Sequence, residues 1–170
     1  MNDDGRPILV LGLGNDILGD DGVGLVAARR LKEEVQEDVE VVESSEAGLA
    51  LMELLEGYER ALLLDAVLTG AHPPGTVLEF SATDFQTVIG PSPHYAGLPE
   101  VLAMAKQLDI PFPQELCILA MEVENPYQVR EGLSPSVEKS LAHFVERARE
   151  VLQCWRANAN ARILVDATCR

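Results

Sequence analysis

Residues Ile8–Leu11 form a short apolar run closed by Gly12 and Gly14, and a helical pattern begins within a dozen residues of it. PILVLGLG reads as a strand, and GVGLVAARRLKEEV places Val23, Val26, Ala27, Leu31 and Val35 at helical spacing. VEVVES follows as a second strand, and Leu49, Met52, Leu55 and Tyr58 recur at intervals of three in a second helix. ALLLDAV, an apolar run ending in an aspartate, has the composition of a strand covered on both faces. The order strand, helix, strand, helix, strand predicts a parallel sheet with helices on both sides and right-handed crossovers.

After Asp65 only about ten residues, including Pro73, Pro74 and Gly75, lead to the next strand, GTVLEF. A parallel crossover takes about a dozen or more, so this strand is expected to run antiparallel to the third. SATDFQTVIGPSPHYAG reads as a long surface loop, LPEVLAMAKQLD as a helix and ELCILAME as another buried strand. Ser134 as N-cap, Pro135 at the first helical position and Glu138 in the first turn then open a long final helix. A single domain over residues 1–152 is expected. Residues 153–170 form a tail of unassigned structure, in which ILVDA is either frayed or an added strand.

The net charge of −15, from 13 basic and 28 acidic residues with no Lys/Arg cluster, argues against a nucleic-acid partner. No window approaches the run of about 18 apolar residues that a membrane helix needs, so no membrane partner is expected. Cys117, Cys154 and Cys169 stand far apart without C-x-x-C spacing, which fits reduced thiols in a cytoplasmic protein.

The segment GLGNDILGDDGVG resembles a phosphate cradle in its glycines but carries Asp16, Asp20 and Asp21. Ile17 stands where a dinucleotide-binding turn needs its third glycine, and there is no P-loop lysine. Carboxylates at a helix mouth also oppose the attraction of that end for anions. One of Asp20 and Asp21 is expected to cap the helix that starts near Gly22, which leaves the other to face a ligand.

Asp65 ends an apolar run, and open α/β sheets bind ligands outside the carboxyl ends of their strands, where the strand order reverses. With an order beginning 2-1-3, the loop holding Asp21 emerges beside Asp65. The alternative for Asp65 alone is a turn-opening residue. His94 lies in the long loop, whereas His72 and His143 occupy ordinary turn and helix positions. Together Asp21, Asp65 and His94 offer one nitrogen and two oxygens, a set suited to a divalent transition metal. The chain has no H-E-x-x-H and no G-x-S-x-G, and Val67 stands where an aspartic-protease motif needs glycine.

Four blocks, ILVLGLGNDILGDDGVG, ALLLDAV, SPHYAGLPEVL and GLSPSVEKSL, resemble in order the hydrogenase maturation endopeptidases, over roughly residues 8–150. The resemblance implies an α/β fold, a three-layer αβα sandwich around a mixed, mostly parallel five-stranded sheet. It also implies that Asp21, Asp65 and His94 are the metal-binding and catalytic residues, while Gly12, Gly14, Asn15, Asp20 and Gly24 shape the loop. The implied activity is removal of the C-terminal peptide of a [NiFe]-hydrogenase large-subunit precursor, recognised through nickel that the substrate itself delivers. Other divalent metals would be able to substitute. SSEAG lacks the paired glycines expected before the second helix. A non-catalytic metal-cargo checkpoint or chaperone for hydrogenase assembly uses the same ligands and stands as the alternative.

Overall fold

The computed structural model describes residues 8–81, 84, 94 and 98–167, with backbone alone for 159–167. Five strands form one sheet: β1 (Ile8–Leu13), β2 (Val39–Ser44), β3 (Arg60–Val67), β4 (Val77–Ser81) and β5 (Glu115–Glu122). Four helices accompany them: α1 (Val23–Lys32), α2 (Ala50–Leu55), α3 (Leu98–Gln107) and α4 (Pro135–Ala167). The strand order is β2-β1-β3-β5-β4. β2, β1, β3 and β5 pair in parallel, and β4 pairs with β5 antiparallel. This is the mixed, mostly parallel αβα arrangement, with its order reversing between β1 and β3.

The apolar runs are continuous because alternate residues serve two cores. Ile8 and Val10 of β1, with Leu62 and Leu64 of β3, pack against Val23, Ala27 and Leu31 of α1 and Leu141, Phe144 and Val145 of α4. Leu9, Leu11, Leu13 and Leu63 point the other way, toward Leu51 and Leu55 of α2 and Leu98 of α3. Each fully buried Leu or Phe contributes on the order of 1.5–3 kcal/mol, so the central strands carry much of the stability.

Two expectations change. β4 does run against the other strands, yet its hydrogen-bonded neighbour is β5 and not β3. β5, formed later in the chain, lies between them, and the link from Val67 to Val77 crosses over its end. The second change concerns the tail. α4 runs unbroken from Pro135 to Ala167, so ILVDA continues a helix and is neither frayed coil nor a strand, and residue 152 is no boundary of secondary structure. Trp155 is buried in the α1–α4 core, and Arg156 holds Asp38 through two hydrogen bonds of 2.9 and 2.5 Å. Of the long loop before α3, Ser81, Asp84 and His94 are described; its other residues lie outside the described set, as do Met1–Pro7 and Cys169.

Candidate metal-type site at the carboxyl end of the sheet

After β1 the backbone must reverse into α1 within ten residues, and glycines permit it where another residue would collide. Gly14 has φ of 145°, and a Cβ there would stand 2.1 Å from the Asp21 carbonyl oxygen. A Cβ on Gly24 would meet the Leu64 carbonyl oxygen at 2.2 Å, so this glycine lets α1 lie against β3. The Asn15 side chain accepts the Ile17 N–H at 3.0 Å and pins the turn locally. A 3-10 turn, Gly19–Gly22, then carries Asp20 and Asp21 into α1.

The three aspartates of this loop have three different roles. Asp16 forms a forked pair with Arg29 at 3.1 and 2.6 Å, and Arg29 also binds Glu43, so the exposed rim of the loop is tied to α1 and β2. Asp20 is buried and accepts the Ser134 N–H at 2.6 Å. Asp21 is buried with its Oδ2 3.7 Å from His94 Nε2. Neither Asp20 nor Asp21 caps α1, contrary to the expectation from sequence: its N-cap is Gly22, without a side-chain bond. The Val23 N–H instead donates to the backbone carbonyl of Asp20.

Asp65 lies near the carboxyl end of β3, fully buried, and accepts the N–H of Ala66 at 2.7 Å. The pairing of β3 with β1 ends one residue earlier, at Leu64 opposite Gly12, so Asp65 stands in the crevice opened by the change of strand order. His94 comes from the long loop. Its Nδ1–H donates to the Glu46 carbonyl at 3.2 Å, which turns Nε2 toward Asp21. Burial lowers the proton affinity of the ring. The Asp21 carboxylate, the Asp65 charge and the Glu46 carbonyl outweigh it, and the pKa is pushed up to about 9.

Donor atoms of Asp21, Asp65 and His94 all lie within 4.8 Å of one another. Metal bonds of about 2.1 Å limit two donors on one ion to about 4.2 Å apart, so these three close on an ion with shifts below about 1 Å. Two carboxylates and an imidazole also suit a divalent transition metal chemically. Chain topology thus brings together three residues from separate parts of the sequence.

Glu122, which was not expected to matter, is buried at the end of β5. It accepts the N–H groups of Thr69 and Gly70, each at 2.8 Å, and the Thr69 hydroxyl at 2.6 Å. It thereby holds the loop that follows β3 and Asp65. Its signal in the sequence is the one that marks Asp65, a carboxylate closing a buried apolar run. Cys117 offers no competing nucleophile: burial, with a smaller push from the Glu79 charge, raises its thiol pKa to about 12.

Fold and donors together describe an α/β protein with three buried side chains that could hold a cation gathered at the switch point of its sheet. Comparison with known proteins makes this more specific. Residues 25–151 match the family model described as hydrogenase maturation protease. The hydrogenase 2 maturation protease of Escherichia coli is 27% identical over 150 residues, covering 86% of this chain and 90% of that protein. The structure of the hydrogenase maturating endopeptidase HybD from E. coli superposes with a TM-score of 0.74 at 26% identity, over 87% of this chain and 93% of that one. The [NiFe] hydrogenase maturation protease HybD from Thermococcus kodakarensis gives a TM-score of 0.65 at 26% identity, over 86% and 99% of the two chains. The chain belongs to the hydrogenase maturation protease family. Among the described residues no helix is long and apolar enough to cross a membrane.

Proposed function

We propose that this protein is a metal-dependent endopeptidase that removes the C-terminal peptide of a [NiFe]-hydrogenase large-subunit precursor in the cytoplasm, and that it recognises nickel already bound to that precursor. The observation that carries the reading is the convergence of three buried donors, Asp21, Asp65 and His94, within 4.8 Å. Family membership supports the protease activity and the class of substrate.

In this reading nickel is part of the substrate, and the three side chains complete its coordination. A divalent ion so held supplies Lewis-acid chemistry, either polarising the scissile carbonyl or lowering the pKa of a bound water. The residues do the rest. The Ala66 N–H holds one oxygen of Asp65, and the Glu46 carbonyl keeps the His94 ring turned so that Nε2 faces the cluster. In this reading Asp21 also takes the proton of the attacking water and passes it to the leaving amine as the peptide bond breaks. Without the cargo the chain lacks the electrophile, so other proteins would be spared.

Incubation of purified precursor with this protein, followed by mass spectrometry, tests the proposal. The nickel-loaded precursor should lose its C-terminal peptide and the nickel-free precursor should not. Equal cleavage of both would remove nickel from recognition. An uncut, nickel-loaded precursor in a stable complex would instead support a non-catalytic checkpoint.

A further inference from the structure

We propose that Asp20 is a positioning residue: its carboxylate ties the turn that carries Asp21 to the amino end of α4, so that the last helix sets where the Asp21 carboxylate stands. The inference rests on the reading of Asp21 as a metal donor.

Two adjacent buried carboxylates need an explanation, because each costs desolvation unless its charge is met. Asp21 faces His94, whereas Asp20 is not one of the grouped donors and accepts the Ser134 N–H at 2.6 Å. That distance is typical of a strong, charge-assisted bond. Ser134 immediately precedes α4, and its carbonyl accepts the Glu138 N–H at 2.8 Å to close the first helical turn. Its N–H is therefore one of the donors that a helix leaves unmet at its amino end, where the dipole also favours a negative charge.

α4 is a rigid support for this purpose. Val137, Leu141, Phe144, Val145 and Ala148 bury one side of it in the core over β1, β3 and β5. More contacts join the same two segments. The Arg130 N–H donates to the Ile17 carbonyl at 3.1 Å, and Leu18 and Arg130 form a parallel bridge. A Cβ on Gly19 would stand 3.2 Å from Arg130 Cβ, so the segment before α4 packs closely over the turn. On the other side the Asp20 carbonyl receives the Val23 N–H from α1. Asp20 thus holds the turn at two points, one toward each helix, and Asp21 next to it has little freedom to leave the crevice.

The test uses the full chain and three readouts: thermal denaturation, Ni2+ and Zn2+ titrated into the purified protein by calorimetry, and processing of the nickel-loaded precursor. Asp20→Asn keeps an oxygen able to accept the Ser134 N–H, and should retain metal affinity and kcat within about threefold. Asp20→Ala should lower metal affinity and kcat/KM for the nickel-loaded precursor by about 10- to 100-fold, the usual effect of losing a residue that orients a ligand. Ser134→Pro removes the donor from the other side and should reproduce that loss. If Asp20→Asn loses as much as Asp20→Ala, the charge acts at the site and the positioning role is overturned. If Asp20→Ala melts earlier but binds metal and turns over like the parent, Asp20 is a helix cap alone and the inference fails. Asp21→Asn, measured in parallel, separates the two readings. Unchanged metal binding in that variant sinks the site assignment itself, whereas a loss there with none in Asp20→Ala sinks only the role of Asp20.

Discussion

β3 carries a buried ionic group toward each of its ends, and the two are treated in opposite ways. At the amino end Arg60 reaches Glu115 of β5 at 3.0 Å and donates to the Trp155 carbonyl of α4 at 3.1 Å. Cation, anion and carbonyl complement one another there, and Glu115 remains 39% exposed, so little desolvation is left unmet. Five residues on, Asp65 shares its surroundings with a second carboxylate and an imidazole. Negative charge exceeds positive unless the ring is protonated or a cation arrives. One end of the strand is built for stability; the other gathers more carboxylate than cationic charge in a buried place.

The contrast is most directly broken at the carboxyl end. Asp65→Asn and His94→Ala should each lower precursor processing by at least about 1,000-fold, as expected when a group acting at the reaction centre is removed. The melting temperature of Asp65→Asn should stay close to the parent's, since one of two crowded carboxylates is relieved, whereas His94→Ala should melt slightly earlier below about pH 9, because it loses the imidazolium that offsets them. A loss of stability in step with activity would erase the distinction between the two ends.

Changes around the amino end should do the reverse. Trp155→Ala, which empties a buried site in α4, is expected to cost about 3 kcal/mol in urea denaturation while kcat per folded molecule stays the same. Glu115→Ala takes the carboxylate from a guanidinium that is 3% exposed and should cost about 2 kcal/mol, reduced by the partial exposure of Glu115. Altered metal affinity in either variant would show that the two ends are coupled.

The smallest effect is a pH slope. His94 has its pKa raised to about 9, so its protonated form stabilises the metal-free fold. That contribution is complete below about 6.5, the value of an unperturbed imidazole, and is lost as pH rises toward 9. Stability of the metal-free protein should therefore decline across this window, and the decline should be absent in His94→Ala. Metal ligation needs the neutral ring, so calorimetry in buffers of different ionisation enthalpy should show release of about one proton on Ni2+ binding at pH 7. Binding without proton release would mean that His94 is not a ligand.

Much of this was readable along the chain because it depends on local periodicity. The alternation of Ile8 to Leu11 and of Ala61 to Leu64 between two cores makes both runs wholly apolar, and that is visible without coordinates. Asp65 was marked by its place at the end of such a run, Asp21 by a glycine turn between strand and helix. The cap assignment failed for a specific reason. An aspartate before a helix usually bonds that helix, but the partner of Asp20 is Ser134, 114 residues away. Glu46 was equally hidden, since its backbone carbonyl, and not its carboxylate, orients His94.

By itself the sequence determined the strands and helices, the parallel core of the sheet and the end of it at which the acidic residues gather. These follow from the spacing of apolar side chains and from the short loops between elements. Only the tertiary structure decided that β5 enters between β3 and β4, that the last helix continues past Trp155 to Ala167, and that Asp20 bonds the start of α4 and not α1. Each of these depends on contacts between segments far apart in the chain, where local preference is silent and the packing of one surface against another chooses.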